Sequence, residues 1–281
     1  MLQLGVRGHD MPVAPFDEWA KSIKDEGFCC TQLALKKAVH DFDVSDGAMT
    51  SGMALYMRRI LDKYGVNVSV LGCYKNLADP DEASLCKTIE SYKNHIRFAS
   101  YLGAGLVGTE TGAVNHEYKP CAENHTEKAL SIFTENLKKV VEYAECMGVC
   151  VGIEPVYKHI MFDIEQTRKV LDRVKSPNLR IILDPVNLLC AENESRHNEI
   201  VDGAFELFGD EIDVIHLKDY VIADGEIKSR PVTFGEGRFD FAHLFKILKE
   251  KKPCINMLIE DSLLENRQIS KQYICDIYKN C

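Results

Sequence analysis

Three apolar runs in this 281-residue chain end in a carboxylate: "VGIEP" at Glu154, "IILDP" at Asp184 and "MLIED" at Glu260. A fourth, "VIHLKD", carries His216. Taken singly, a strand-end acid can cap the next helix or bond loop amides, and a lone histidine is commonly a satisfied, half-buried one. Three carboxylates and an imidazole on neighbouring strands are another matter. Gathered without a cation they would repel one another and lose solvation. Such a group is a ligand set for one divalent metal ion. Three oxygen donors, one nitrogen and no thiolate suit Mn²⁺, Mg²⁺ or Co²⁺, and Zn²⁺ is also compatible. A six-coordinate ion held by four side chains would keep two positions open. The adjacent carbonyl and hydroxyl oxygens of a sugar would fit them, with the ion acting as a Lewis acid toward an enediolate.

These residues meet only if the runs that carry them are strands of one sheet. Short apolar runs at 2–8, 28–35, 66–74, 106–112, 149–155, 179–185, 212–219 and 254–261 read as strands. Segments of helical spacing lie between them, at 15–27, 51–65, 81–103, 125–148, 163–175, about 197–209, 240–252 and 264–280, with 220–238 as a longer loop. Eight β-then-α units without a linker predict an α/β fold, a single (β/α)8 TIM barrel spanning residues 1–281 as one domain. In such a barrel the active site gathers at the C-terminal ends of the strands, where Glu154, Asp184, His216 and Glu260 would stand. The "GAGLVG" at 103–108 matches a dinucleotide fingerprint in letters only. Its glycines follow a helix and enter a strand, the reverse of the required order, so a helix stop and tight turn are expected.

Composition narrows the function. Hydrophobic residues make up 46% and charged residues 27%, which is globular and sufficient for a large core. The net charge of −9 and the absence of a basic stripe argue against a nucleic-acid partner. The "KEKK" at 249–252 sits at an expected helix end, where cations are favourable. Eleven cysteines without a CxxC point to a reduced, cytoplasmic chain. The N-terminus does not read as a signal peptide, and no run reaches the roughly 20 apolar residues of a membrane span.

Taken together, "GIEP", "ILDP", "IHLKD", "FGEGRFD" (234–240) and "LIED" resemble the xylose isomerase-like barrel superfamily, in its sugar (phosphate) isomerase/epimerase branch. That branch includes tagatose 3-epimerase, inosose dehydratase and hydroxypyruvate isomerase. The resemblance covers nearly the whole chain. It implies that Glu154, Asp184, His216 and Glu260 bind the metal and that Glu154 and Glu260 also transfer protons, one from each face of a bound carbon. Two positions depart from the family pattern. The epimerases carry a histidine three residues after the strand-6 aspartate, where this chain has Asn187. They also carry an arginine six residues after the strand-7 histidine, where it has Ile222. An amide can orient a hydroxyl but cannot relay a proton. Lys218 or Arg230 could replace the missing arginine as a substrate clamp, or Arg230 could be a solvated loop residue.

Further candidates stand at other strand ends. Arg7, His9 and Asp10 in "VRGHD" could touch substrate or belong to a solvated loop. Glu110 in "GTETG", with His116 near it in sequence, could bond sugar hydroxyls or a loop amide. Asp240 is expected to cap a helix and Trp19 to pack. The expected function is a metal-dependent isomerase or epimerase of a small sugar, polyol or sugar phosphate, acting by proton transfer α to a carbonyl. A keto-polyol dehydratase on the same metal site is the alternative. An apurinic endonuclease-type nuclease, disfavoured by Asn187 and the acidic charge, and a non-catalytic ligand-binding barrel complete the set. The expected partner is a small carbohydrate, with no nucleic acid and no membrane; a homo-oligomer is compatible with the reading.

Overall fold

Strands that are hydrogen-bonded on both edges and covered on their outer face must be apolar nearly throughout, and the eight apolar runs behave accordingly. In the computed structural model, which describes residues 1–281, they form β1 (Gln3–Arg7), β2 (Cys30–Leu33), β3 (Asn67–Gly72), β4 (Leu106–Glu110), β5 (Cys150–Glu154), β6 (Leu179–Leu183), β7 (Ile212–Leu217) and β10 (Asn256–Ile259). They close into a parallel barrel in the order β1-β10-β7-β6-β5-β4-β3-β2, so β1 and β10, near the two chain ends, complete the ring. The covering helices are α1 (Phe16–Asp25), the short α2 (Leu35–Ala38), α3 (Ser51–Tyr64), α4 (Glu82–Leu102), α5 (Glu127–Met147), α6 (Ile164–Val174), α7 (His197–Phe208), α8 (Phe241–Lys251) and α9 (Arg267–Asn280). None is long and apolar enough to cross a membrane.

Local chemistry marks the helix ends. Thr50, Asp81, Thr126, Asp163 and Asp240 each accept a hydrogen bond from the amide three residues on, which satisfies one of the free donors of the first turn. Gly103 ends α4 at φ +78, so "GAGLVG" is a helix stop. Trp19 packs beneath the barrel mouth, stacked on Phe16 at 5.3 Å, and its indole donates to the Gly8 carbonyl at 2.9 Å.

Alternation along the strands divides the core in two. Outward residues such as Val6, Ile153, Leu183, Ile215 and Ile259 join the large cluster between barrel and helices. Cys30, Val70, Leu106, Ile182, Val214 and Leu258 fill the barrel interior as a separate cluster. Glycines make room for them: a β-carbon on Gly152 would lie 2.7 Å from Leu106 Cδ1 and 3.0 Å from Ile182 Cγ1. Strand side chains repeat with period two, so the residues two places beyond this layer also point inward. They are Gln32, Glu154, Asp184, His216 and Glu260, together with Glu110 beyond Gly108 and Arg7 beyond Gly5.

The 220–238 segment differs from the expected loop. It holds an antiparallel hairpin, β8 (Val221–Ala223) and β9 (Glu226–Lys228). Asp224 and Gly225 form its turn at φ 54 and 75, and this Asp-Gly pair was the available sequence signal. The following "FGEGRFD" loop is pinned by Asp219. One oxygen accepts from the Gly235 and Gly237 amides at 2.9 and 3.1 Å. The other accepts from the Tyr220 and Phe239 amides at 2.9 and 3.1 Å. A β-carbon on Gly237 would lie 2.1 Å from Asp219 Oδ1, which explains that glycine.

Gly152→Ala is expected to destabilise the fold by about 1–3 kcal/mol through overpacking of the inner layer. Equilibrium urea unfolding measures this, and an unchanged midpoint would show that the interior has slack at this position.

Candidate active site

Glu154 is the last residue of β5, Asp184 and Glu260 follow the ends of β6 and β10, and His216 lies within β7. All four are buried, and one ligand atom from each falls within 4.8 Å of the others. His216 Nδ1 lies 3.3 Å from Glu154 Oε1 and 3.3 Å from Glu260 Oε1. Neither ring nitrogen of His216 makes a hydrogen bond, and neither does Asp184 Oδ2. Buried polar atoms without partners are uncommon and demand a reason. Three oxygens and one nitrogen, converging with unused donor capacity, fit a divalent cation.

The nearest built-in cation is Lys218. Its Nζ is 2.7 Å from Asp184 Oδ2, although out of line for a hydrogen bond, and 3.1 Å from Glu260 Oε2. It also donates to Asn187 Oδ1 at 3.1 Å. The Asn187 amide nitrogen donates to Glu154 Oε1 at 2.6 Å. This pair fixes the amide's orientation, because an ammonium only donates and a carboxylate only accepts. On the opposite flank, Arg7 bonds Asp10 at 3.0 Å and Asp261 at 2.8 Å, and it approaches Glu260 Oε2 at 3.5 Å. Asp261 has a left-handed backbone, φ 55. Its bonds from Arg7 and from Ser229, the latter at 2.7 Å, hold it there beside Glu260.

The charges shift one another strongly. Burial lifts the Asp184 carboxyl to about 6 against the pull of Lys218. Burial would lower the His216 imidazole, but Glu260 and Glu154 raise it to about 9. Burial would also raise Glu260, yet His216, Lys218 and Arg7 hold it well below the usual carboxylate range. Lys218 is desolvated, but Asp184, Glu260 and Asp261 keep it well above the ordinary lysine value.

Glu154, Glu260, Lys218 and Arg7 line a cavity of about 400 Å³ at the strand ends, and the fully buried Asp184 and His216 lie behind them. Of the substrate candidates, His9, Glu110, Asn187 and Lys218 line it and Arg230 does not. Arg230 is exposed, on the segment beyond the hairpin. His116 is also remote from the cavity: it is exposed and pairs with Asp79 at 3.1 Å. Glu110 instead has His159 Nδ1 at 3.3 Å and the Tyr118 hydroxyl at 3.4 Å. Burial, then Glu154 and Glu260, raise the Glu110 carboxyl to about 7, whereas burial presses His159 down to about 4. His159, Gln32 and Tyr74 were missed in the sequence; Tyr74 accepts from Gln32 Nε2 at 2.8 Å. His159 and Tyr74 lie in loops without periodicity, but the inward parity of Gln32 with Cys30 was readable.

Comparison with known proteins bears on the family and the fold. Residues 20–271 match the family described as xylose isomerase-like TIM barrel. Over 97% of this chain and 99% of its own length, SgbU of Escherichia coli K12, provisionally named an L-ribulose-5-phosphate 3-epimerase, is 24% identical. A D-tagatose 3-epimerase-like protein superposes with a TM-score of 0.77 at 18% identity, covering 99% of this chain and 98% of that one. AsbF of Bacillus anthracis, described as a probable 3-DHS dehydratase, gives 0.72 at 14% identity, covering 100% and 99%. Those structural likenesses concern the fold. The family match covers most of the chain, which therefore belongs to the xylose isomerase-like TIM barrel family.

Asn187→Leu removes the donor to Glu154 and the acceptor for Lys218 together. The expected loss is about 1–3 kcal/mol of stability, the cost of buried polar groups without partners. Asn187→His restores a donor to Glu154 and is expected to recover part of the loss. Urea unfolding of the two variants checks this order, and equal stability of Asn187→Leu and the parent would refute the bridging role.

Proposed function

We propose that this enzyme is a divalent-metal-dependent isomerase or epimerase of a small sugar or sugar phosphate, working by proton transfer α to a carbonyl. The observation that carries the reading is the disposition of Glu154 and Glu260. Their carboxylates flank His216 from strands on either side of β7 and face one cavity. A carbon bound between them presents one face to each, so one carboxylate can remove a proton while the other returns one. His216, Lys218 and Arg7 hold Glu260 ionised, the protonation state from which a base starts.

Glu154, Asp184, His216 and Glu260 are the residues that would hold the metal. When bound, it would supply Lewis-acid polarisation of the substrate carbonyl and stabilise the enediolate. The remaining residues position and select. Asn187 holds Glu154 in place. Glu110, with its carboxyl raised to about 7, can donate or accept at a sugar hydroxyl. Lys218 supplies a fixed positive charge to the developing oxyanion. Its carboxylate neighbours keep it protonated. Eleven free cysteines fit a reducing, cytoplasmic setting.

Glu260→Gln keeps the shape of the side chain and removes the base. Exchange of the substrate α-proton in D₂O, followed by NMR, is expected to fall by roughly 10²–10⁴ with the fold intact. Exchange at the parent rate would sink the acid–base assignment. Mn²⁺ at about 100 times its Kd is expected to stabilise the chelator-treated protein by about 2.7 kcal/mol. A melting temperature indifferent to Mn²⁺, Mg²⁺, Co²⁺ and Zn²⁺ would remove the metal.

A further inference from the structure

A second cavity, of about 240 Å³, opens between the ends of β2 and β3. It shares a wall with the first, since Lys37 and Tyr74 line both. Its other polar lining is Lys36, Lys75 and His95, and no carboxylate lines it. Lys36, Lys37 and Lys75 have no acid within 4.0 Å. Two carboxylates lie near: Asp43, which interacts with Lys36, and Asp46. Burial would raise Asp46, but Ser91, Lys75, His95 and Lys36 hold it below its usual range. Two acids against three ammonium groups leave the annex positive.

The annex binds but has nothing to react with. Burial pushes the Cys73 thiol up to about 12. His95 Nδ1 bonds the Ser91 carbonyl at 2.8 Å, and burial lowers the imidazole, so it is a neutral floor. Position gives the annex its meaning. In the closed ring β3 stands opposite β7 and β2 opposite β6. The lysines therefore face the His216 and Asp184 side across the mouth.

We propose that the annex holds a phosphate-class oxyanion borne by the substrate, with the carbonyl end among Glu154, Asp184, His216 and Glu260. This rests on the function proposed above and narrows its substrate class from sugar or sugar phosphate to sugar phosphate. Lysines suit the task as mobile point charges that can converge on a tetrahedral anion.

The test is calorimetric titration of inorganic phosphate into the full chain at pH 7 without added metal. One saturable site is expected, weakened at least about tenfold in the Lys37→Ala/Lys75→Ala double variant, because two charge-assisted bonds are lost. Lys251→Ala on α8 is expected to leave it unchanged, and Lys37→Arg/Lys75→Arg to restore it in part. No binding, or binding indifferent to the double substitution, overturns the annex. Displacement of bound phosphate by L-ribulose 5-phosphate and not by L-ribulose assigns the site to a substrate-borne phosphate. Failure of L-ribulose 5-phosphate to displace it makes it a site for free phosphate and overturns that assignment. The titration needs neither metal nor turnover, so its failure is distinct from failure of the Glu260→Gln exchange test.

Discussion

Glu110, Glu154, Asp184 and Glu260 are brought together at one barrel mouth, and the rest of the site is arranged around keeping them there. Carboxylates taken out of water and placed side by side must protonate, pair or hold a cation. This chain uses each remedy. Glu110 rises to about 7. Glu260 is pinned ionised by His216, Lys218 and Arg7. Asp184 Oδ2, ion-paired to Lys218 but without a hydrogen bond, and the His216 nitrogens remain as ligand capacity for an ion. Arg7, Asp261, Ser229 and Asn187 are intelligible only as supports that fix these groups in their places.

Much of this was legible in the sequence, for a simple reason. A barrel strand has period two, and the ring closes in one way, so an apolar run that ends in an acid fixes the height and the inward face of that acid. In "VGIEP", Gly152 lies in the packed interior, Ile153 faces the helices, and Glu154 returns to the inside one layer higher. "ILDP", "IHLKD" and "LIED" repeat this step. The four ligand candidates converge because their strands β5, β6, β7 and β10 are consecutive in the ring.

What stayed hidden depends on contacts between loops, which carry no period. Glu110 finds His159 from the β5 loop, not His116 a few residues on. Asp219 explains the glycines of "FGEGRFD" only once the chain has folded back onto it. The hairpin at 221–228 had its Asp-Gly turn in plain view, but its strands are three residues each and are easily read as loop. The annex lysines were unreadable for a different reason. Exposed lysines are ordinary in a sequence, and only the cavity that gathers three of them without a carboxylate in its lining, a three-dimensional fact, gives them weight.

The charge count around His216 connects folding with function. Glu154, Asp184 and Glu260 bring three negative charges at neutral pH; Lys218 and the imidazolium of His216, raised to about 9, return two. Arg7 contributes a third positive charge, which it shares with Asp10 and Asp261. The buried cluster is thus close to balanced by the chain alone, so folding does not have to wait for an ion. Ligation requires a neutral imidazole, so a cation can enter only as His216 gives up its proton. The gain would then be two charges less one, and on the function proposed above a site built in this way would trade a proton for a metal. In the function proposed above, the carboxylates that would make the exchange favourable are the same ones that would move protons on the substrate, so Glu154 and Glu260 would serve both ion binding and acid–base chemistry.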